Sequence, residues 1–292
     1  MTIQFQFFDP PSGDKPAVDR FLEACRQGDL STVQDNLEQA DDTWLAHGLT
    51  EAAKGDQPEI MDFLLEKGAI IQIWPVQAAK SKSAWEVLLK YGLDVNNPMP
   101  WGHVPLMSVV SKNNPDLLKW YLSLGADPNL GIPRDCIKEK RFVDSSDLPS
   151  PDSSVALECA SRDCDTGIID ILLEHGAKLE NSLVFHYALM RKSEPSDLEA
   201  RTPMMEYLLN LGADINKFGW IGSLPYGGTA LHLAAFFGRV EDARWLLGHG
   251  ADPTVRAGGK YMPEAYALMG RHNAVLKVLH DWRGIVPVNK QS

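Results

Sequence analysis

The sequence predicts an all-α solenoid of about eight stacked helix pairs, degenerate at both ends and joined by β-hairpin-like fingers. Three observations predict it. The first is a recurring phrase of two leucine-like residues, a spacer and Gly-Ala. It reads Leu64-Leu65 to Gly68-Ala69, Leu88-Leu89 to Gly92-Leu93, Tyr121-Leu122 to Gly125-Ala126, Leu172-Leu173 to Gly176-Ala177, Leu208-Leu209 to Gly212-Ala213 and Leu246-Leu247 to Gly250-Ala251. Its glycines are 24, 33, 51, 36 and 38 residues apart. Self-similarity at such spacings is the signature of stacked supersecondary units. The second is apolar residues at helical spacing, clearest at Val240, Ala243, Leu246 and Leu247. The third is small residues followed by a helix-stopping glycine, as in Ala234, Ala235 and Gly238. There one helix can approach its neighbour closely before the chain turns.

Composition narrows the function classes. The chain has 292 residues, of which 44% are hydrophobic and 23% charged, a globular balance with length for a continuous core. Length alone suggests two domains, but repeats that contact only their neighbours argue for one elongated domain. A net charge of −11 argues against nucleic acid and anionic membrane as partners. The densest basic run, Lys138-Glu139-Lys140-Arg141, is interrupted by an acid. Cys25, Cys136, Cys159 and Cys164 show no paired spacing and read as buried thiols of a reducing compartment. Neither a signal peptide nor a membrane span is expected, so the predicted location is intracellular, cytoplasmic or nuclear.

The clearest unit runs Gly228-Thr-Ala-Leu-His-Leu-Ala-Ala235, then Phe236-Phe237-Gly238, then Val240 to Leu247 and Gly250-Ala-Asp-Pro253. It resembles the ankyrin repeat, whose signature is T-P-L-H-x-A-A, a helix-turn-helix and L-L-x-x-G-A-D. The same register fits Val104 to Asp127, Val155 to Ala177, Leu183 to Asp214 and His47 to Ala69, with Ile73 to Gly92 a shortened unit. Phe21 to Gln39 and Glu264 to Trp282 read as degenerate caps. The expected domain spans 17–285, between an extension at 1–16 and a tail at 286–292. Its units fall near 17–43, 44–72, 73–97, 98–130, 152–180, 181–216, 226–254 and 259–283. Insertions at 130–153, 192–199 and 217–227 break the period. The resemblance implies binding and no particular partner, and no cofactor is expected.

The histidines belong mostly to the repeat. His186 and His232 occupy the T-P-L-H position, which the resemblance makes a bridge between loop backbones of adjacent units. His175 and His249 precede helix-ending glycines, where a cation complements the helix dipole. His272 follows the inner-helix glycine, and His47, His103 and His280 stand outside the pattern. No ligand spacing for a metal and no catalytic motif is present, so the chain is not expected to be an enzyme.

The aromatic residues carry the functional reading. Five residues before the inner-helix leucine, three units place Trp44, Trp101 and Tyr226, an expected finger-tip position exposed to solvent. Trp220 and Tyr261 lie on finger segments. The pair after each inner-helix alanine faces the expected groove. It reads Arg26-Gln27, Lys54-Gly55, Ser111-Lys112, Arg162-Asp163, Met190-Arg191, Phe236-Phe237 and Leu268-Met269, polar and partly basic toward the amino terminus and apolar in the last two pairs. An apolar patch of this kind marks a binding site unless the chain covers it. The coverers would be the 217–227 finger or Ile3, Phe5, Phe7 and Phe8. The expectation is a monomer that binds a protein partner through Trp220, Tyr226, Phe236, Phe237, Tyr261 and Met269. Trp44 and Trp101 extend the contact, and Lys112, Arg162 and Arg191 supply charge. The alternative is a small-molecule binder or unusual enzyme using the same groove, with Arg191, Tyr226 and His103 the first residues to inspect. Asn96 and Asn216 stand in the context of hydroxylated asparagines of the resembled family, but both also belong to its ordinary consensus.

Overall fold

The computed structural model describes residues 10–11, 13–99, 102–132, 153–191, 199–221 and 224–285. Expectations placed on the 3–8 apolar segment, Trp101, Cys136, the 138–141 run and most of the 130–153 and 192–199 insertions lie outside those residues. Among the described residues there are sixteen α-helices and no strand. The chain divides into two compact units, residues 1–127 and 128–292.

The first unit holds α1 (Lys15–Gln27), α2 (Leu30–Asp35), α3 (Asp42–Gly55), α4 (Pro58–Glu66), α5 (Ile73–Ala78), α6 (Lys82–Lys90), α7 (Pro105–Val110) and α8 (Pro115–Ser123). Inner helices stack α1 on α3, α3 on α5 and α5 on α7, and the outer α4 packs on α6. Helix starts are written locally. The Asp29, Asp41, Ser81 and Asn114 side chains accept backbone N–H groups of the turns they open. Pro58, Pro105 and Pro115 sit in first turns, where a missing N–H costs nothing. The core is filled by Phe21, Met61, Leu64, Trp85 and Tyr121, all fully buried, with the Trp85 and Tyr121 rings edge-on at 5.1 Å. Gly55 lets α3 touch α1, because a Cβ there would lie 2.0 Å from the Arg26 carbonyl oxygen.

The second unit holds α9 (Val155–Asp163), α10 (Thr166–Glu174), α11 (Val184–Leu189), α12 (Thr202–Asn210), α13 (Ala230–Phe236), α14 (Val240–Gly248), α15 (Pro263–Met269) and α16 (Asn273–Ile285). Its inner helices stack α9 on α11, α11 on α13 and α13 on α15, and α14 packs on α16. Arg201, just before α12, and Asp242 of α14 are both fully buried. Arg201 Nε donates to Asp242 Oδ1 at 3.1 Å, and Nη2 lies 3.0 Å from Oδ2. Arg239 adds a second guanidinium 3.7 Å from Oδ2.

The recurring Gly-Ala phrase is a helix C-cap. Gly68, Gly92, Gly125, Gly176, Gly212 and Gly250 all take φ between +82° and +98°. The residue after the glycine sends its N–H back five positions, Ala69 to Leu64, Leu93 to Leu88, Ala177 to Leu172, Ala213 to Leu208 and Ala251 to Leu246. That is the longer bond of a Schellman ending, which satisfies a carbonyl the helix leaves open. At three of these caps an asparagine ties the turn to the preceding finger. Asn96, Asn129 and Asn216 donate their amides to the Gly125, Gly176 and Gly250 carbonyls at 2.9, 2.9 and 3.0 Å. They accept the N–H of Asp127, Lys178 and Asp252 at 2.8, 2.8 and 2.7 Å. Asn96 and Asn216 therefore have a structural task in full.

Candidate functional site

The candidate site lies in the second unit, where two fingers lead into α13 and α15 and the far ends of the same two helices carry an apolar patch. Gly219 and Gly228 exchange backbone hydrogen bonds of 3.0 and 2.8 Å, closing one finger. Ala257 and Tyr261 close the next with bonds of 2.7 and 2.9 Å. Tyr226 and Tyr261 stack across them, with centroids 4.5 Å apart and planes 19° from parallel. Tyr226 remains 37% exposed.

Histidines hold these fingers to the helices. His186 donates Nε2–H to the Gly228 carbonyl at 2.9 Å. His232 accepts the Thr229 N–H at Nδ1 (3.1 Å), which leaves its proton on Nε2, and Nε2 bonds the Tyr261 carbonyl at 3.1 Å. Burial pulls both imidazoles down to about 4. They are neutral bridges, as the T-P-L-H position implies. Glu158 stands at the same register position in its unit and reaches the next unit as an acceptor. Its Oε1 takes the Leu183 N–H at 3.0 Å and the Ser153 hydroxyl at 2.9 Å. Burial raises its pKa.

The histidines give a pH prediction. A native pKa depressed below the unfolded value of about 6.5 means that the unfolded chain binds more protons at acid pH. Their contribution to stability is then complete above pH ~6.5 and is lost as pH falls toward about 4. Imidazole nitrogen shifts should show His186 and His232 still neutral at pH ~5.5, with a histidine-containing model peptide measured alongside as the reference. Titration of His186 and His232 near 6.5 would contradict the buried-bridge geometry.

The inner-helix ends supply the apolar surface. Phe237 closes α13, and Leu268 and Met269 close α15, which stacks on it. They are 45%, 59% and 43% exposed. Phe236 is half-buried, with its ring edge-on to Phe237 at 5.3 Å and to Tyr266 at 6.1 Å. Tyr266 was not singled out in the sequence, yet it joins patch to finger. Its ring stands edge-on to His232 at 5.0 Å, and its hydroxyl donates to the Gly227 carbonyl at 2.8 Å. The available signal was a tyrosine at the register position that α13 gives to Ala234.

Other expected site residues are placed differently. Trp44 is a correction. It lies in the first turn of α3, is 2% exposed and packs against Phe21 with centroids 5.5 Å apart. Asp41 caps that helix early, so the ring enters the core instead of a finger tip. Arg191 donates Nη1 to the Ser161 and Cys164 carbonyls at 3.1 and 2.9 Å, and so closes the end of α9. Arg162 forms an ion pair with Asp163 at 2.7 Å. His103 belongs to the first unit, half-buried with Nε2 2.7 Å from the Ser108 hydroxyl, and burial pulls it down to about 4. Trp220 is half-buried on its finger. Cys25, Cys159 and Cys164 are buried. His175 and His249 each bond a last-turn carbonyl through Nδ1, at 2.8 and 2.7 Å.

A surface groove of about 310 Å³ lies elsewhere, between α4 and α6, and includes Pro58, Val87 and Lys90. Among the described residues no three metal-ligating side chains converge, and no helix is long and apolar enough to cross a membrane.

Comparison with known proteins adds sequence relatives. Residues 157–257 match the family model for ankyrin repeats, in three copies. An ankyrin repeat protein of fowlpox virus is 24% identical over 79% of this chain. The ankyrin repeat and KH domain-containing protein mask-1 of Caenorhabditis elegans is 25% identical over 71% of it. The human transient receptor potential cation channel subfamily A member 1 is 38% identical over 20% of it. The chain spans 40%, 8% and 5% of the lengths of those relatives. Superposition on the crystal structure of the human ASB11 ankyrin repeat domain covers 90% of this chain and 96% of that one, at 18% identity and a TM-score of 0.41.

Proposed function

Because the chain is an ankyrin-repeat protein, and such repeats are generally protein–protein interaction modules, we propose that it binds a protein partner through the aromatic groove of its second unit. One observation carries this reading. Phe237, Leu268 and Met269 present large apolar side chains to solvent from the ends of two adjacent inner helices. Grouped exposure of this kind is unusual on a surface that nothing covers. Phe236 and Tyr266 hold the patch from beneath, and the stacked Tyr226–Tyr261 pair stands on the neighbouring fingers. Binding would bury the three side chains in partner pockets, and the rigid rings lose little entropy on association.

The test compares the wild type with a Phe237→Ser/Leu268→Ser/Met269→Ser variant. All three positions are exposed, so the melting curve should stay close to wild type. A partner enriched by the wild type in quantitative pull-down, then purified, should bind the variant at least about tenfold more weakly, each lost anchor being worth ~1 kcal/mol or more. Equal binding by the variant would refute the reading. A small molecule retained by the wild type in native mass spectrometry, and lost by the variant, would replace the protein partner with a ligand.

A further inference from the structure

The first unit carries a feature that the second-unit groove does not use. Arg26 lies in the last turn of α1 and Lys54 in the last turn of α3. Lys80 follows α5 and Lys112 follows α7, each by two residues. Because α1, α3, α5 and α7 stack in that order, the four cations form one row along the inner-helix ends. The sequence register found Arg26, Lys54 and Lys112. Lys80 fell in the shortened unit, and the structure supplies the missing rung.

Two of the rungs are fixed in place. Lys80 Nζ donates to the Lys54 carbonyl at 2.7 Å, and Lys112 Nζ donates to the Gln77 carbonyl at 2.6 Å. Each bond uses one of three ammonium donors, so two remain on each lysine. Helix ends do favour a nearby cation. That preference alone does not call for holding like charges together in a chain of net charge −11. Burial and the neighbouring Lys80 both lower the pKa of Lys112. Among the described residues, Glu51 is the carboxylate that pairs with the row, 2.6 Å from Lys54 and 4.0 Å from Arg26. Among the described residues, Lys80 and Lys112 bond carbonyls and pair with no carboxylate.

We propose that this ladder of cations is a docking groove for an extended acidic segment of a partner protein. Charge complementarity chooses the occupant: four positive groups in a row, one carboxylate among them, on a molecule otherwise strongly acidic. Geometry sets the pattern. Packed helices lie about 8–10 Å apart, and an extended chain advances about 3.3 Å per residue. An acid at every third residue of the bound segment therefore meets successive rungs. The site is independent of the aromatic groove, so either can fail without the other.

The experiment uses the full chain and a fluorescent twelve-residue peptide with Glu at every third position and Gly-Ser between. Anisotropy at low salt should show saturable binding that weakens as salt rises. Lys80→Glu/Lys112→Glu should weaken it at least tenfold. Lys67→Glu/Lys119→Glu, the same charge change on exposed outer-helix positions, should stay within about twofold. If the reversal unfolds the chain, Lys80→Gln/Lys112→Gln replaces it, with a loss of severalfold expected. No saturable binding by the wild type would overturn the proposal, as would equal loss in both reversals. So would equal affinity for an isomeric peptide with its glutamates clustered, or tighter binding of single-stranded DNA of matching charge.

Discussion

Replacing Asp242 by alanine is expected to destabilise the second unit by about 3–5 kcal/mol, with a lower urea midpoint and little change in slope. The magnitude follows from what is left behind. Arg201 is fully buried and meets Asp242 through two contacts, at 3.1 and 3.0 Å. Without the carboxylate its guanidinium stays in a low-dielectric interior and loses the charge that Asp242 sets against it. Arg239, which also approaches Asp242, loses its carboxylate too. An exposed pair such as Arg244 with Glu241, at 3.6 Å, should cost less than ~1 kcal/mol when broken. The contrast separates burial from ion pairing as the cause. A pairwise replacement, Arg201→Met/Asp242→Leu, should recover much of the loss, because it removes both desolvated charges together. If the single and double variants are equally unstable, packing around α12 and α14 is responsible and the ion pair is not.

That pair also shows where sequence reasoning stops. The two residues are 41 positions apart, and Arg201 follows an insertion that breaks the repeat register. Nothing local distinguishes Arg201 from an exposed arginine. The Gly-Ala phrase was legible for the opposite reason. A positive φ at the helix end is a requirement of the local backbone, so glycine recurs wherever that turn is made. His186 and His232 were legible because the repeat puts a donor opposite the next finger's carbonyl. Glu158 fills the same place with inverted hydrogen-bond polarity, accepting the Leu183 N–H, and residue identity alone does not reveal that exchange. At the candidate site, Phe237, Leu268 and Met269 could be read from the pattern because it gives the position after the inner-helix alanines to solvent. The supporting Tyr266 could not, because its partners lie on another helix and another finger.

Trp44→Ala should cost about 3–5 kcal/mol, at the scale of a buried tryptophan truncation, and should act on the first unit's stability. The sequence register put this ring on a finger tip by counting back from the inner-helix leucine, as for Tyr226. That count assumes inner helices of equal length. The helix bearing Trp44 runs Asp42–Gly55, while the corresponding helix after Tyr226 runs Ala230–Phe236. The Asp41 side chain accepts the Trp44 N–H at 3.0 Å and starts the longer helix early. The added helical length places the indole against Phe21 of α1, where it is 2% exposed. Truncation would leave a cavity between two stacked helices at one end of the unit, and few neighbours there can collapse into it. Tyr226→Ala, at a ring 37% exposed, supplies the comparison and should cost ~1 kcal/mol or less. Both variants belong in the same urea titration and the same partner-binding assay. A Trp44 variant as stable as wild type but unable to bind the partner would return that ring to the surface. A large loss of stability, with binding retained at temperatures where the variant stays folded, would show that its role is to hold α1 against α3.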